Sequence, residues 1–243
     1  MSVASVLRSV GNKVYEHAFT IYRPLYGTYK EYADRAERQL LRTILFPGAG
    51  VVDAGANIGI YSQFFSRCVG PTGVVHSFEP SPENFGRLQS ATRKLANVRL
   101  SQSAVGESSR RTTLYVSDKL NVDHRAYLPE GDSRDTVSIE MIALDDYFKA
   151  GERVDLIKMD IQGYELHALR GASRVLADNP DIKLLFEFWP YGLKQAGGSS
   201  AELIAVLKEN GKLIQQVSSE GLTGFDPGSA NESEAWYINL FAS

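Results

Sequence analysis

Four acidic side chains stand where runs of strand-forming residues give way to loops: Asp53, Glu79, Asp160 and Glu187. Ligands of open α/β sheets bind beyond the carboxyl ends of the strands, so these four are the first candidates for chemistry. Asp53 closes Val51-Val52 and is followed by Gly55, Asn57 and Gly59. Ile60, Phe64 and Phe65 then recur at helical spacing, which predicts a strand turning sharply into a helix and presenting backbone N–H groups to a ligand. Glycine suits such a turn because it accepts positive φ and leaves room for close approach to the main chain.

The position of the acid narrows the ligand. A dinucleotide site needs G-x-G-x-x-G, with pyrophosphate at the helix N-terminus. Here Asn57 stands for the middle glycine, and Asp53 would repel pyrophosphate. A carboxylate there suits a cation such as the ammonium of an amino acid. Glu79, closing Val74 to Phe78, lies where an acid about 20 residues beyond the glycines takes ribose hydroxyls. Ammonium plus ribose describes S-adenosylmethionine. The alternatives are a nicotinamide cofactor, or a tight turn capped by Asp53 that holds nothing.

Methyl transfer from a sulfonium is an in-line displacement in which positioning supplies much of the rate. An alcohol acceptor is a poor nucleophile, so a base or a metal has to weaken its O–H bond. Asp160 and Glu187 end strands expected to be neighbours, roughly 5 Å apart. Their carboxylates are candidates to hold Mg²⁺ together. Alternatively Asp160 alone is the base, or it caps a helix near Gly163, and Glu187 is a buried, hydrogen-bonded residue. His124, within Asn121-Val122-Asp123-His124-Arg125, is a third catalytic candidate, since an imidazole with an ordinary pKa near 6.5 is a workable base. The bland reading is a surface histidine. His76 and His167 read as packing or surface residues. Trp189, Tyr191 and Gly192 would form an apolar wall for the acceptor.

The elements that must position these residues can be read in order. Residues 1–46 form a helical extension with two apolar stripes, Val3/Leu7/Val10/Val14 and Ala36/Leu40/Leu41/Ile44/Leu45. Between them Pro24 and Gly27 should break any helix, and Tyr22, Tyr26 and Tyr29 would serve as a lid or as a staple to the body. From 47 to 243 strands alternate with helices. Strands are expected at 51–53, 74–78, 98–105, 154–159, 182–188, 213–217 and 235–241. Helices follow Ser81, Gly163 and Ser200, with Gly211 ending the last of them. Thr112 to Ser117 and Thr136 to Ala143 pair as a hairpin around a long loop, and Gly221 to Glu234 is a surface loop. This pattern predicts a doubly wound α/β sheet with helices on both faces and an antiparallel closing strand.

Composition sets outer limits. At 243 residues with 43% apolar and 23% charged content, one large domain is expected. A net charge of −3, a pI near 5.9 and the lack of a basic patch argue against nucleic acid as a partner. Cys68 is the only cysteine, so no intrachain disulfide can form and a reducing compartment is the simpler reading. With no apolar run long enough for a signal or a membrane span, a cytoplasmic protein with no membrane partner is expected. Whether it forms a homo-oligomer is left open.

Five motifs, in consistent order over roughly residues 35–215, give the chain a family resemblance. Asp53-Ala-Gly-Ala-Asn-Ile-Gly59, Phe78-Glu79-Pro80-Ser81, Asn121 to Arg125, Lys158-Met-Asp-Ile-Gln-Gly-Tyr-Glu165 and Leu169-Arg-Gly-Ala172 resemble the FkbM family of class I S-adenosylmethionine-dependent methyltransferases. Gln162 stands where that family often has Glu. The resemblance implies a Rossmann-like, seven-stranded, mostly parallel sheet of order 3-2-1-4-5-7-6. It also implies O-methylation of a small hydroxylated molecule, such as a sugar, a polyketide or another natural product. Asp53, Gly55, Asn57 and Gly59 would hold the amino acid end of the cofactor, Glu79 the ribose, and Ser103 and Ala104 would flank the adenine. A nicotinamide-dependent oxidoreductase and a non-catalytic adenosylmethionine-binding protein remain the competing readings.

Overall fold

The computed structural model describes residues 15, 18–116, 124–128 and 134–243. The first expected apolar stripe and Asn121, Val122 and Asp123 lie outside the described residues. The core is an eight-stranded sheet built on β1 (Gly50–Ala54), which is buried along its whole length. β2 (Val74–Phe78) and β7 (Leu156–Met159) flank it in parallel, β3 (Val98–Ser101) continues beyond β2, and β8 (Lys183–Phe188) beyond β7. The antiparallel strand β11 (Ile238–Ala242) lies between β8 and β9 (Ile214–Ser218).

With the edge strand β10 (Gly221–Gly224) left out of the numbering, the main-sheet strands run 3-2-1-4-5-7-6, as the resemblance implies. The count is corrected from seven to eight. Part of the expected surface loop is instead β10 (Gly221–Gly224), a hairpin strand on the outer edge of β9. Alternation along the strands feeds two cores. Val51, Val75, Leu156 and Leu185 face α2 (Arg35–Ile44) and α3 (Ile60–Val69). Val52, Ile157, Leu184 and Phe186 pack with Leu166, Val175, Leu203 and Leu207 on the opposite side, so helices cover both faces.

Three local expectations change. The strand expected at 98–105 breaks at Gln102. Its second half, β4 (Ser103–Val105), leaves for a three-stranded sheet with β6 (Asp135–Ile142) and β5 (Arg110–Val116). The reason is that β2 stops at Phe78 and the Glu79 N–H takes the Ser101 carbonyl, so the chain beyond has no partner in the main sheet. The expected hairpin is the β5–β6 pair.

The single helix expected after Gly163 is two, α6 (Glu165–Arg170) and α7 (Ser173–Asp178). Asp145, in the short helix α5 (Leu144–Tyr147), accepts the Arg174 and Val175 N–H groups at 2.9 Å and so starts a fresh helix. Gly171 fits between them because a Cβ there would collide with the Gly106 carbonyl.

In the N-terminal arm, α1 (Phe19–Ala33) runs straight through Pro24 and Gly27. Proline removes one helical bond. Rings placed one turn apart offset that loss: Tyr22 stacks on Tyr26 at 5.3 Å, and Tyr26 meets Tyr29 at 6.3 Å. Among the described residues no helix is long and apolar enough to cross a membrane.

Two glycines test this packing. Gly171→Ala is expected to cost about 1–3 kcal/mol in urea unfolding, because backbone has to move. Gly86→Ala, in open space within α4 (Pro82–Thr92), is expected to gain about 0.5–1 kcal/mol by the same measurement.

Candidate functional site

The carboxyl ends of β1, β2, β7 and β8 open into one cleft of about 850 Å³, within the roughly 300–1,000 Å³ of small-molecule sites. The glycine turn forms one end. Asn57 sits there at φ 50° and Gly59 at φ 84°, left-handed values that asparagine tolerates better than other side-chain-bearing residues. A Cβ at Gly55 would run into the Asp160 carbonyl, so glycine is what lets β1 and β7 come together here.

The turn does not present amides as the sequence suggested. The Gly55 and Ala56 N–H groups both donate to the Phe78 carbonyl at 3.0 Å, and the Asn57 N–H donates to Glu79 Oε2 at 2.8 Å. With three successive donors committed, residues 55–57 are a bare surface for close approach and not an anion nest.

Glu79 lies at the cleft wall, its second oxygen taking the Ser81 N–H at 2.9 Å. Burial pushes its carboxyl up to about 7, against the pull of those two backbone donors. Ser103 and Ala104 line the same region, at the start of β4.

Asp53 and Gly59 do not line the cleft. The Asp53 side chain is fully buried behind the turn, where Oδ2 accepts the Ser62 hydroxyl at 2.6 Å and Ser77 in turn donates to Ser62 at 2.9 Å. Burial raises its pKa against the opposing influence of Lys158 and Ser62. The expectation of direct contact with a ligand ammonium is therefore corrected, because the first turn of α3 covers the carboxylate. Gly59 instead backs onto Leu88 of α4.

Across the cleft, Asp160 and Glu187 are brought together as their strand positions predicted, with one addition. The Gln162 side-chain amide donates to Asp160 Oδ1 at 3.1 Å and to Glu187 Oε2 at 3.3 Å, bridging the two acids. Gln162 reaches both because it is left-handed at φ 57°, followed by Gly163 at 95°. Glu165 fixes that turn by accepting the Ile161 and Gly163 N–H groups at 3.2 and 3.3 Å.

The bridged acids differ in charge. Burial raises Asp160, but Lys158, with Nζ 3.7 Å from Oδ2, together with Lys30 and Gln162 more than offsets this and holds it below the usual carboxylate range. Burial and the neighbouring Asp160 and Glu165 charges push Glu187 up to about 9. At neutral pH the pair is one carboxylate and one carboxylic acid.

A divalent cation does not fit this arrangement. Among the described residues no group of three or more His, Cys, Asp or Glu side chains is placed to hold a metal. Lys158 and the Gln162 amide already occupy the positive side of Asp160.

His124 and Arg125 line the cleft from the irregular region. Arg125 is buried, its guanidinium 4.8 Å over the Trp189 ring, and its main chain pairs with Tyr115. Trp189 is on the wall. Tyr191 and Gly192 are not, because the chain after β8 coils into α8 (Pro190–Gln195) and packs Gly192 beneath the indole. His76 packs against Tyr147 and Phe148, and His167 bonds the Ala196 carbonyl, so neither enters the site.

Lys158 and Lys30 line the cleft although their sequence positions alone assign them no role. A lysine within the apolar run of β7 was a legible signal for the first. Lys30 carried none, since only docking of α1 brings it to the cleft.

Comparison with known proteins places this geometry among methyltransferases. Residues 53–214 match the family described as "Methyltransferase FkbM domain". Methyltransferase 1 of Beauveria bassiana (strain ARSEF 2860) is 28% identical over 161 residues, covering 55% of this chain and 64% of that protein. This chain therefore spans somewhat less than two thirds of the fungal relative. The 31-O-demethyl-FK506 methyltransferase FkbM of Streptomyces tacrolimicus is 27% identical over 200 residues, 69% of this chain and 74% of the relative. Among solved structures, a Clostridium thermocellum protein described as an rRNA methylase superposes with a TM-score of 0.50 at 14% identity, covering 85% of this chain and 92% of its own. That likeness speaks for the fold alone.

The Glu79 environment sets a pH dependence. On the assignment of Glu79 to ribose that the family resemblance implies, the hydroxyls donate to a carboxylate, and with Glu79 protonated below about pH 7 in the free protein binding there releases a proton. Affinity for S-adenosylhomocysteine is expected to rise up to about tenfold per pH unit toward 7 and then level off. Isothermal titration at several pH values should show this, and Glu79→Gln should flatten the curve.

Proposed function

From the premise that the chain belongs to the FkbM family of methyltransferases, we propose that it is an S-adenosylmethionine-dependent O-methyltransferase acting on a small hydroxylated molecule. The observation that carries this reading is the pair of unlike carboxyls, Asp160 and Glu187, bridged by Gln162 in the same cleft as Glu79. Glu79 is assigned to the ribose hydroxyls, Ser103 and Ala104 to the adenine, and the bare face of Gly55 and Asn57 to the amino acid end. Asp53 holds the turn from behind. The cofactor supplies a methyl group already activated by its sulfonium.

The chain's own residues do the rest. Asp160, the ionised member of the pair, accepts the acceptor hydroxyl's hydrogen bond and draws its proton as the carbon–oxygen bond forms. A carboxylate held below its usual range is a weak base, so its main contribution is orientation of the oxygen in line with the methyl group. Glu187, protonated, adds no second negative charge and supports Gln162. Tyr26, Tyr29, Trp189 and Tyr237 wall the acceptor side and exclude water. His124 stands at the edge of the acceptor side as an alternative base. In this reading α1 is a lid over the cleft, its tyrosines forming the inner face.

The acceptor class follows that of the Streptomyces tacrolimicus relative, whose name specifies methylation of a 31-O-demethyl compound. The nicotinamide alternative is disfavoured by the committed amides of the turn.

Isotopically labelled S-adenosylmethionine, incubated with a panel of sugar and polyketide alcohols, tests the proposal through transfer of label to an ether oxygen. Label appearing on nitrogen or carbon, or nowhere, would count against it. Asp160→Asn is expected to lower turnover about 10²- to 10⁴-fold while S-adenosylhomocysteine binding stays nearly constant. Full turnover by that variant would remove Asp160 from the mechanism. Chelation with EDTA is expected to leave the rate unchanged, and a loss restored by Mg²⁺ would reinstate the metal reading.

A further inference from the structure

The family match begins at residue 53, yet α1, earlier in the chain, sends a charged side chain into the cleft. Lys30 lines the main cleft and also a smaller polar cavity of about 220 Å³ beside it. Lys30, Tyr61, Lys158, Asp160 and Glu187 line both, so these side chains form the partition between the two spaces. The Lys158 Nζ lies 4.6 Å from the Tyr61 ring centroid and the Lys30 Nζ 5.9 Å from the same point. Two ammonium groups thus converge on one ring beside one ionised carboxylate.

Lys30 is anchored by Asp34 Oδ2 at 2.7 Å, one turn along the helix, and its side chain is only 24% exposed. An i,i+4 pair is worth about 0.3–0.5 kcal/mol, too little on its own to offset withdrawal of an ammonium from water. The partition supplies the further anion in Asp160.

We infer that Lys30 is a positioning residue for methyl transfer: docked α1 brings a second ammonium to Asp160 and thereby decides which carboxyl of the bridged pair takes the acceptor's hydrogen bond. The inference rests on reading the cleft as the methyl-transfer site. The groups facing Asp160 come from every element around it. Lys30 and Tyr26 belong to α1, Asp53 to β1, Lys158 to β7, Gln162 and Glu165 to the turn and α6, Glu187 to β8, and Tyr237 precedes β11.

Among these described groups only the two lysines are positive. Lys158 is built into the sheet and stays, whereas Lys30 leaves if α1 lifts. Lifting withdraws Lys30 together with its Asp34 partner, and because Lys30 is the one of the two that bears on Asp160, the proton shared by the pair moves toward Asp160. The acceptor oxygen then loses its partner. Closure of the arm and readiness of the carboxylate become one event.

The test needs no acceptor. Carbon-13 carboxyl resonances of the full chain, assigned with Asp160→Asn and Glu187→Gln, are titrated in the wild type, Lys30→Met and Lys30→Arg. Lys30→Met keeps the apolar stem and removes the charge, so the Asp160 titration is expected to move to higher pH, while Lys30→Arg follows the wild type. An unmoved Asp160 in Lys30→Met, or a shift in Lys30→Arg as large as in Lys30→Met, overturns the inference. Should Lys30→Met not fold, Lys30→Gln makes the same charge change with a polar tip. Calorimetry with S-adenosylhomocysteine on the wild type reports separately. Absence of binding there would defeat the cofactor reading while leaving the carboxyl titrations to decide the role of Lys30.

Discussion

One carboxylate ties the cofactor end of this protein together. Glu79 leaves β2 and accepts the Asn57 N–H with one oxygen and the Ser81 N–H with the other. It thereby joins the glycine turn after β1 to the start of α4. The turn is stretched between that carboxylate and the Phe78 carbonyl, which takes the two preceding amides. Asn57 adopts a left-handed conformation because its N–H must point sideways to Glu79. The site is preorganised by hydrogen bonds that already exist, and a ligand meets a shaped surface with an acid beside it. The Glu79 N–H in turn closes on the Ser101 carbonyl, so the chain parts from the sheet after β3 and Ser103, in β4, pairs with β6.

The acceptor side is governed by a different constraint, the crowding of acids. Asp53, Asp160, Glu165 and Glu187 end or follow three of the strands converging on one edge, and Asp53 and Glu165 are buried there. The protein meets this in three ways. Glu165 and Asp53 each accept local donors through one oxygen. Lys158 lies among them from within the sheet. The remaining pair shares an amide bridge and divides its charge, with Asp160 held low and Glu187 pushed up to about 9. Charge asymmetry between adjacent carboxyls separates their roles by environment alone.

Aromatic rings borne by elements remote from one another in the chain line the cleft. α1 gives Tyr26 and Tyr29, the segment before β11 gives Tyr237, and the end of β8 gives Trp189, whose indole N–H is pinned to the Glu234 carbonyl at 3.0 Å. Such rings cover wide areas with little rotamer freedom to lose. They make the mouth of the cleft depend on how the two ends of the chain pack against the central sheet.

The sequence by itself determined the sheet and the strand ends. Alternating apolar runs closed by single acids fixed where Asp53, Glu79, Asp160 and Glu187 lie, and the ordered motifs fixed the strand order observed. Ser81 and Gly211 marked helix ends where they are found. These features are local or periodic, and a linear chain displays them.

Only the tertiary structure decided which way the side chains turn and what reaches them. Asp53 and Glu79 look alike in sequence, each an acid closing a buried strand. A serine hydroxyl from α3 covers one, and the other bonds across to a neighbouring loop and faces the cleft. Lys30 lines the same cleft as Asp160 because α1 docks there, and α1 persists through Pro24 with stacked tyrosines offsetting part of the lost hydrogen bond. Pairings between residues tens of positions apart depend on packing that no local pattern encodes, and that is why charge, access and proton placement in the site had to wait for the fold.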